Sequence, residues 1–470
     1  MSKNIHFIGI NGSGLVGVAC LAKENGFNIS GCDLSKKGNY SKQLEDLNID
    51  VEVGQSPEHL KGIDKLVVSS AVFFKDKYKN IPEIMEALKQ NIEITRWQDF
   101  LDKELAKNKD LICVSGTHGK TTTTTIVATM LDVLNSDPTV VIGGINKKWN
   151  KNYRNGKGKY FVCEADEYGN NFTYYHPKYI IINNIEMEHP EFFQDLEGYK
   201  QNFINFIRNI RDFGTIVFNG DDNNIVDILE KEKDYLKNKN IKLIAYITDE
   251  NNRKNDNIKY NFLKFDNNEF ILENKKYKTN DGLCGEHNFR NASVAILLLE
   301  ELGFEYKNIY NCLLECELPK RRMEKVFVND RFSVYDDYAH HHTQIFYNLK
   351  TLKNNINKNE KIIAVLEPHL ISRYKENSEE YNKYMEIADY PIITKFFKSR
   401  EIDLPDLDMK DYLNGTNIEY IIDFNEVVNR IKEIINIEKT KKMHIVIMGA
   451  GLSYKLTEKI IDLLKNKNLM

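Results

Sequence analysis

The clearest chemical signal in the sequence is a glycine-rich loop, Gly116-Thr117-His118-Gly119-Lys120-Thr121, placed between an apolar stretch and a helical pattern. Backbone N–H groups in such a loop can surround phosphate oxygens, and the following helix N-terminus adds positive partial charge. Lys120 offers a full charge to the outer phosphates, and the Thr121 hydroxyl suits Mg²⁺. The strict P-loop pattern needs a glycine where this chain has Val114. The Gly-Lys-Thr end and the strand–loop–helix context still predict nucleotide binding.

Two further residues could complete a phosphoryl-transfer site. Glu164 directly follows an apolar strand pattern, and His189 lies shortly after the next one. Because parallel strands end on one edge of a sheet, we expect Lys120, Glu164 and His189 to converge. A carboxylate there would hold Mg²⁺, and a histidine near carboxylates could hold a second metal ion. Taken alone, His189 would more often be a surface histidine. Together these residues predict catalytic roles for Lys120, Glu164 and His189, with Thr121, Glu164 and His189 as metal ligands.

A second glycine motif lies near the start of the chain. Gly12, Gly14 and Gly17 form GxGxxG between a strand pattern and a helix pattern, and Asp33 closes the next strand. This is the pattern of a dinucleotide site, and it could equally bind the diphosphate of a nucleotide sugar. Two phosphate loops in one chain favour two phosphorylated ligands, ATP and a bulky nucleotide substrate.

Composition limits the class of protein. The 470 residues carry a net charge of −4, with 41% hydrophobic and 29% charged residues, which predicts a folded protein and excludes a strongly basic nucleic-acid binder. Apolar runs fall short of the ~20 residues of a membrane helix, and no signal peptide is recognised, so we expect a cytoplasmic protein without nucleic-acid or membrane partners. The cysteines are scattered and form no CxxC pair, which predicts neither a disulfide framework nor a zinc site.

Strand and helix patterns alternate along the whole chain. They predict three consecutive α/β domains: a Rossmann-like N-terminal domain at 1–106, a central P-loop ATP-binding domain at 107–317, and a Rossmann-like C-terminal domain at 318–470. Residues 249–280 are polar with alternating apolar positions, which favours a small antiparallel region.

The chain resembles the Mur ligase family over essentially its whole length. Members of that family are ATP-dependent enzymes that add amino acids during peptidoglycan synthesis. The resemblance rests on motifs that occur in the family's order. They are His6 to Gly17, Gly116 to Thr124, Glu164 to Glu167, Asn184 to His189, His287 to Asn291, Lys320 to Arg322 and Asp336 to His341.

The resemblance implies ATP and Mg²⁺ as cofactors, and it implies roles for individual residues. The implied ATP-binding residues are Gly116, Thr117, His118, Gly119, Lys120, Thr121, Thr122, Asn288, Arg322 and Asp337. The implied substrate-binding residues are Gly12, Ser13, Gly14, Asp33 and Ser70 for the UDP part, together with His340, His369 and Arg373. Of these, His369 and Arg373 belong to the segment that would receive the incoming amino acid.

The activity implied is amide ligation. ATP would phosphorylate the carboxylate of UDP-N-acetylmuramate, and the amine of L-alanine would then attack the acyl phosphate. The family also contains recycling members that attach a short peptide, a murein tripeptide, and residues 188–196 resemble those. The stretches 399–401 and 448–451 resemble the alanine-adding members instead. The chain departs from the family pattern at two places: His342 follows the paired histidines, and Tyr374 follows Arg373. These departures affect the expected specificity for the acceptor more than the expected chemistry.

Two alternatives outside the family are less consistent with the motifs. An NAD-dependent oxidoreductase built on the first glycine motif would leave Lys120, Glu164 and His189 without a role. A catalytically silent sensor of nucleotide sugars would not need the intact Gly-Lys-Thr sequence or Glu164.

Overall fold

A computed structural model describes residues 3–72, 80–189, 192–266, 269–283, 285–399, 401 and 403–465. The chain divides into two compact units, Met1–Pro319 and Lys320–Met470. Within the described residues the strands form three sheets that follow one another along the chain, two in the first unit and one in the second. Each sheet is covered by helices, which confirms the predicted fold class of consecutive α/β domains.

The first domain is built on a parallel sheet. Its elements are β1 (Asn4–Ile8), α1 (Ser13–Glu24), β2 (Asn28–Asp33), α2 (Ser41–Asp46), β3 (Val51–Val53), β4 (Lys65–Val68), α3 (Pro82–Gln90), β5 (Glu93–Arg96) and α4 (Trp97–Phe100). The strand order is β3-β2-β1-β4-β5, with every pairing parallel. This doubly wound order places the glycine motif at the carboxyl end of the central strand β1, where such folds bind ligands.

The second domain carries the phosphate loop at the carboxyl end of a central strand. Its elements are β6 (Asp110–Ser115), α5 (Lys120–Val133), β7 (Thr139–Asn146), β8 (Lys151–Arg154), β9 (Tyr160–Glu164), β10 (Tyr179–Ile182), α6 (Leu196–Arg208), β11 (Thr215–Asn219), α7 (Asn223–Lys231), α8 (Lys233–Asn238), β12 (Lys242–Ile247), β13 (Ile258–Asp266), β14 (Glu269–Leu272), β15 (Lys275–Lys278), α9 (Glu286–Glu301) and α10 (Tyr306–Leu314). The order is β15-β14-β13-β12-β11-β10-β6-β9-β7-β8. Strand β6 pairs in parallel with both β9 and β10, so the ends of the three strands lie side by side.

The predicted antiparallel region of the second domain is an extension of the same sheet. Strand β13 pairs in parallel with β12, and only β14 and β15 continue from it in antiparallel fashion. On the other edge, β8 returns antiparallel to β7.

The second unit contains one mixed sheet with a hydrophobic core on each face. Its elements are β16 (Glu324–Val328), β17 (Phe332–Asp337), α11 (His342–Asn355), β18 (Lys361–Glu367), α12 (Ile371–Glu376), α13 (Ser378–Met385), β19 (Tyr390–Ile393), α14 (Met409–Leu413), β20 (Glu419–Tyr420), α15 (Phe424–Ile437), β21 (Met443–Gly449) and α16 (Ser453–Lys465). The order is β16-β17-β21-β18-β19-β20, in which β16 is antiparallel to β17 and the other pairs are parallel.

In the part of the chain that the structure describes, every helix is too short or too polar to cross a lipid bilayer. The six described cysteines are free thiols buried in the domain interiors, while Cys284 lies outside the described residues. They are Cys20, Cys32, Cys113, Cys163, Cys312 and Cys316.

Candidate active site

The phosphate loop can be formed only with glycine at two positions. Gly116 and Gly119 have φ angles of 124° and 82°, in the left-handed region that side chains disfavour. A Cβ on Gly116 would lie 3.0 Å from the backbone nitrogens of Asn183 and Asn184, and one on Gly119 would lie 2.6 Å from Asn291 Oδ1. The glycines therefore serve both the turn and the close approach of the neighbouring segments.

The residues after β10 hold the loop in shape. The His118 N–H donates to Asn184 Oδ1 at 2.8 Å, and Asn183 Nδ2 donates back to the His118 carbonyl at 3.1 Å. The Thr117 hydroxyl donates to the Glu186 carbonyl at 2.9 Å, and His118 Nε2 lies 2.8 Å from the Glu186 carboxylate. Two motifs far apart in sequence thus form one structure.

The run of threonines at the start of α5 is explained largely by contacts within the protein. The Thr124 hydroxyl donates to the Lys120 carbonyl at 2.8 Å, and the Thr125 hydroxyl donates to the Thr121 carbonyl at 2.7 Å. The Thr123 hydroxyl donates to Asn183 Oδ1 at 3.3 Å. Such bonds to the preceding turn satisfy buried hydroxyls inside a helix. These three threonines therefore do not need a nucleotide to explain their presence.

Lys120 makes an ion pair with Glu167. Its Nζ lies 3.0 and 2.9 Å from the two carboxylate oxygens of Glu167, and it also donates to the Gly116 carbonyl at 2.7 Å. Burial alone would lower the pKa of Lys120, but Glu167, with smaller contributions from Asp166 and Glu188, raises the pKa above its usual value. Lys120 is therefore a stable cation in the loop.

Glu167 has other partners as well, one at its carboxylate and one at its backbone carbonyl. The Tyr199 hydroxyl donates to Glu167 Oε1 at 3.2 Å, and Asn202 Nδ2 donates to the Glu167 carbonyl at 2.9 Å. Glu167 belongs to the motif Glu164 to Glu167, but the functional carboxylate predicted from the sequence is Glu164. The structure gives Glu167 the contact with Lys120.

Glu164 and Thr121, two of the predicted metal ligands, lie together. The Thr121 hydroxyl is 3.1 Å from Glu164 Oε2, and the Gly143 N–H donates to Glu164 Oε1 at 2.5 Å. The Tyr40 hydroxyl, from the first domain, donates to the Gly143 carbonyl at 2.9 Å. The backbone of Gly143 thus connects Tyr40 of the first domain to the Glu164 carboxylate at the start of α5.

His189 lies beside two carboxylates, those of Asp166 and Glu167. One ligand atom each from Asp166, Glu167 and His189 fall within 4.8 Å of one another, and His189 Nε2 is 4.0 Å from Glu167 Oε1. The His189 backbone has a φ of 59°, and its ring lies 4.8 Å from that of Tyr168. Glu167 is thus the carboxylate that approaches both Lys120 and His189.

Helix α9 places the motif His287 to Asn291 beside the phosphate loop. Asn291 is the residue whose side chain approaches Gly119, and Asn288 is buried one turn earlier on the same helix. Arg290 forms an ion pair with Asp221 at 2.9 Å, and its guanidinium lies 5.7 Å from the ring of Tyr246. These contacts fix the start of α9 beside the phosphate loop.

The N-terminal glycine loop is held by Asp33. The carboxylate accepts hydrogen bonds from the N–H groups of Asn11 at 2.9 Å and Leu34 at 2.7 Å. Gly12 N–H donates to the Gly9 carbonyl at 3.1 Å and precedes α1. Asp33 thus supports the loop through these two hydrogen bonds.

The other predicted UDP-site residues lie around that loop. A Cβ on Gly14 would be 3.0 Å from the Trp97 ring, and the Ser13 carbonyl accepts from Asn152 Nδ2. Ser70 exchanges hydrogen bonds with the Gln98 amide, the shorter at 2.8 Å. The neighbouring Ser69 lies against Gly9, so the end of β4 adjoins the glycine loop.

In the second unit, Asp337 is fully buried at the end of β17. Its carboxylate accepts the backbone N–H groups of Met323 and Ala339. Burial raises the pKa of Asp337, although the nearby Arg322 opposes this rise. The Arg322 guanidinium lies 5.3 Å from the Tyr338 ring. Arg322 and Asp337 are thus neighbours within this unit.

His340 and His369 are also neighbours. Their rings are 5.1 Å apart and nearly perpendicular, and His369 stacks on Phe397 at 5.8 Å. The Tyr381 hydroxyl donates to the His340 carbonyl at 2.7 Å. Arg373 is buried on the adjoining helix α12.

Glu401 is a further residue whose importance sequence reasoning missed. Its carboxylate accepts from the N–H groups of Ile371 at 2.7 Å and Ser372 at 3.1 Å, and from the Ser372 hydroxyl. It therefore fixes the segment that carries His369 and Arg373. Glu401 lies about thirty residues after the segment it contacts. The sequence therefore indicated only that the stretch 399–401 resembles alanine-adding members, and it did not reveal this contact.

The unusual His342 takes the first position of α11. That position tolerates proline because its N–H has no partner within the helix, and the family pattern has proline here. In this chain His341 accepts from the Thr343 N–H at 3.4 Å and caps the helix instead. The substitution thus leaves the start of the helix intact.

Three family models match consecutive parts of the chain. They are "Mur ligase family, catalytic domain" over residues 4–109, "Mur ligase middle domain" over residues 114–299 and "Mur ligase, glutamate ligase domain" over residues 321–451.

Relatives with assigned activities match over the full length. A UDP-N-acetylmuramate–L-alanine ligase of Sulfurihydrogenibium sp. (strain YO3AOP1) is 34% identical, covering 99% of this chain and 98% of the relative. Among solved structures, a UDP-N-acetylmuramate–alanine ligase of Thermotoga maritima has a TM-score of 0.77 at 24% identity, covering 98% of this chain and 99% of its own. A murein peptide ligase of Psychrobacter arcticus has a TM-score of 0.68 at 24% identity, covering 99% of both chains. Both solved structures share the fold of this chain.

Proposed function

Because this chain belongs to the Mur ligase family, we propose that it joins L-alanine to UDP-N-acetylmuramate in an ATP-driven amide ligation. The observation that carries the proposal is the meeting of Lys120, Thr121 and Glu164 at one phosphate loop. It occurs in a chain that matches an L-alanine ligase from end to end. We place this reaction, which consumes ATP, in the cytoplasm.

The chemistry has two balanced steps. A carboxylate oxygen of the muramoyl group bonds to the γ-phosphorus of ATP, and ADP leaves with the electrons of the broken P–O bond. The amine nitrogen of L-alanine then bonds to the activated carbonyl carbon, phosphate leaves with the C–O electrons, and the amine proton passes to solvent. The products are the amide, ADP and phosphate.

Lys120 supplies fixed positive charge to the first step. Stabilisation of the charge that develops on the transferring phosphoryl group is the main contribution a protein makes to such reactions. The raised pKa of Lys120 keeps the group protonated. Glu167 holds the ammonium group at the loop before the nucleotide binds. The glycine loop adds backbone N–H donors without side chains that would block the phosphates.

The residues present fit two divalent cations. The hydroxyl and carboxylate of Thr121 and Glu164, 3.1 Å apart, would hold one Mg²⁺, and Asp166, Glu167 and His189 would hold another. Bound there, the ions would neutralise phosphate oxygens during transfer. This assignment adds Asp166 and Glu167 to the predicted ligand set of Thr121, Glu164 and His189.

The remaining assignments follow from the family resemblance and are supported by how the residues cluster. Gly12, Ser13, Gly14, Asp33 and Ser70 surround one glycine loop suited to the UDP diphosphate. Asn288 lies on the helix beside the phosphate loop, which supports a role in ATP binding. In the second unit Arg322 and Asp337 form one pair for the nucleotide, and His340, His369 and Arg373 form one region for the incoming amino acid.

An ADP-release screen tests the proposal. The purified full-length protein is mixed with ATP, Mg²⁺ and UDP-N-acetylmuramate, and L-alanine, L-serine, glycine or the murein tripeptide L-Ala-γ-D-Glu-meso-diaminopimelate is added in turn. We expect the highest kcat/KM with L-alanine and no ADP release without the nucleotide sugar. Preference for the tripeptide would identify a recycling ligase, and ADP release independent of the nucleotide sugar would overturn the proposal.

A further inference from the structure

We propose that the first domain contains a site for a divalent transition metal, formed by His6, Cys32, His59 and Glu83, and that Zn²⁺ is the ion it fits. One ligand atom from each of the four residues lies within 4.8 Å of all the others. The residues come from β1, the end of β2, a short 3₁₀ turn (Pro57–Leu60) and the first turn of α3. The site is thus separate from the phosphate loop and its predicted Mg²⁺ ligands, which lie in the second domain.

The spacing of the donor atoms suits tetrahedral coordination. Glu83 Oε1, which also accepts the Ser56 N–H at 2.9 Å, lies 3.4 Å from Cys32 Sγ and 3.0 Å from His59 Nδ1. Around a zinc ion with bonds of about 2.0–2.3 Å, neighbouring ligand atoms lie roughly 3.3–3.8 Å apart. The Cys32 distance falls in this range and the His59 distance is slightly shorter, so only small side-chain movements would bring these donors to bonding distance.

Two buried atoms in the cluster point independently to a ligand. Among the described residues, neither His6 Nε2 nor Glu83 Oε2 has a hydrogen-bond partner. His6 is 1% exposed and Glu83 is fully buried. Buried polar atoms of this kind are almost always satisfied, because leaving them unpaired is unfavourable. A metal ion bound by His6 Nε2 and by the Glu83 carboxylate through Oε2 would satisfy both atoms.

Ser30 prepares His6 for metal binding. The Ser30 hydroxyl lies 2.8 Å from His6 Nδ1, on the neighbouring strand at the paired position. With Nδ1 engaged in that bond, Nε2 is the ring nitrogen left to bind a metal. In known metal sites, a hydrogen bond to the other ring nitrogen orients the histidine ligand in this way.

The donor chemistry selects the ion. A thiolate, two neutral imidazoles and a carboxylate carry two negative charges, which balance those of Zn²⁺ in a buried place. Mg²⁺ and Ca²⁺ prefer oxygen ligands alone. On binding, the Cys32 thiol loses its proton to solvent as the S–Zn bond forms. The side chain of His59 is 15% exposed and provides a route for the ion.

Such a metal would stabilise the base of the N-terminal glycine loop. The Cys32 carbonyl accepts the N–H groups of Gly9 at 2.8 Å and Ile10 at 3.2 Å. A metal on Cys32 would therefore tie the end of β2, and with it the start of the loop, to α3. The sequence expectation of no zinc site rested on CxxC spacing, which cannot detect four ligands drawn from four separate elements.

Cobalt substitution tests the site in the full-length protein. The protein is stripped with a chelator, supplied with excess Mg²⁺ to occupy oxygen-rich sites, and titrated with Co²⁺. We expect a near-ultraviolet thiolate-to-cobalt charge-transfer band together with intense visible bands of tetrahedral cobalt, saturating at one equivalent. The band should vanish in Cys32→Ser and persist in Cys20→Ser, which alters another buried cysteine of the same domain. Absence of the band in the unmodified protein, or its persistence in Cys32→Ser, would overturn the proposal.

A second measurement keeps the test valid if Cys32→Ser does not fold. Addition of Zn²⁺ to the stripped protein should raise the midpoint of thermal unfolding, since a ligand that binds only the folded state stabilises it. His59, whose side chain is 15% exposed, is the least buried of the four residues, and His59→Gln should lose most of the shift. An equal shift in both proteins would show that the stabilising zinc binds elsewhere and would contradict the assignment.

Discussion

Lys120 Nζ lies 2.9 Å from one carboxylate oxygen of Glu167 and 3.0 Å from the other, inside the loop that the sequence assigns to phosphate. The ammonium group is thus held by a buried anion at the place where a nucleotide would bring further negative charge. Phosphate must share this cation with Glu167 or replace Glu167 as its partner. A divalent cation near Glu167 and His189 would make that exchange easier by binding the released carboxylate.

Replacing Lys120 by alanine should strongly reduce phosphoryl transfer. Loss of one preorganised hydrogen-bond donor from an oxyanion hole lowers kcat by about 10²–10³, and we expect an effect of at least that size for Lys120. Steady-state ADP release with UDP-N-acetylmuramate and L-alanine measures this, with circular dichroism to check folding because Glu167 is left buried without its cation. Lys200→Ala is the matched control, since Lys200 pairs with Asp227 and Glu197 away from the loop. A folded Lys120→Ala protein with near-normal turnover would refute the role of this lysine.

Glu167→Gln should impair catalysis although it keeps the shape of the side chain. The change removes the charge that holds Lys120 and that lies beside His189, so we expect kcat to fall roughly 10- to 100-fold, as for other groups that orient a metal site. The concentration of Mg²⁺ needed for half-maximal rate should rise as well.

Glu186→Gln provides the comparison for that variant. Glu186 pairs with His118 on the loop, and its side chain is 48% exposed. Its loss should change the rate by less than about threefold, because exposed ion pairs contribute little. Equal effects of the two substitutions on rate and on Mg²⁺ requirement would show that Glu167 has no special function.

Tyr40→Phe should weaken the link between the first domain and Glu164. The hydroxyl donates to the Gly143 carbonyl, and the Gly143 N–H donates to Glu164. Loss of one such bond costs about 1 kcal/mol, which lowers the midpoint of thermal unfolding by about 2–4 °C. The Mg²⁺ requirement should also rise, since Glu164 loses part of its support. Tyr235→Phe is the control, because it removes a hydroxyl that donates to the Arg208 carbonyl at the surface. Catalysis should stay unchanged in this control. An equal loss of catalysis in both variants would contradict the link between Tyr40 and Glu164.

Asp336→Asn should change how stability depends on pH. Burial raises the pKa of Asp336 from 3.8 to about 6, against the influence of Arg321. Between these values the unfolded chain loses a proton that the folded protein keeps, so stability falls as pH rises, by up to about 3 kcal/mol above pH 6. The asparagine variant lacks this loss.

Thermal unfolding from pH 4 to pH 7.5 measures the effect. The midpoint of Asp336→Asn minus that of the unmodified protein should increase with pH across this window and then level off. A difference that is constant with pH would mean that the Asp336 pKa is ordinary. Comparing the two proteins at each pH cancels the titration of groups that do not interact with Asp336.

Sequence patterns predicted the elements around the two glycine loops closely. Each loop lies between a strand and a helix, as the patterns indicated: β1 precedes α1, which begins at Ser13, and β6 precedes α5, which begins at Lys120. These elements combine a clear apolar period with a glycine boundary. The pairing of β13 with β12 was not predictable, because the choice of neighbouring strand depends on contacts distant in sequence.

The candidate site was predictable only where a residue directly ends a strand. Glu164 is the last residue of β9, and its approach to Thr121 follows from the parallel pairing of β9 with β6. Glu167 lies three residues later, just before a 3₁₀ segment in which Gly169 and Asn170 take left-handed conformations. That turn decides where the Glu167 side chain points, and nothing in the spacing of the motif reveals it.

The path of one oxygen atom tests the central claim most directly. UDP-N-acetylmuramate labelled with ¹⁸O in its carboxylate is incubated with the protein, ATP, Mg²⁺ and L-alanine, and the inorganic phosphate is analysed by mass spectrometry. Ligation through an acyl phosphate predicts one ¹⁸O atom in the phosphate for each amide formed. Unlabelled phosphate accompanying amide formation, or hydrolysis of ATP without amide, would contradict the account.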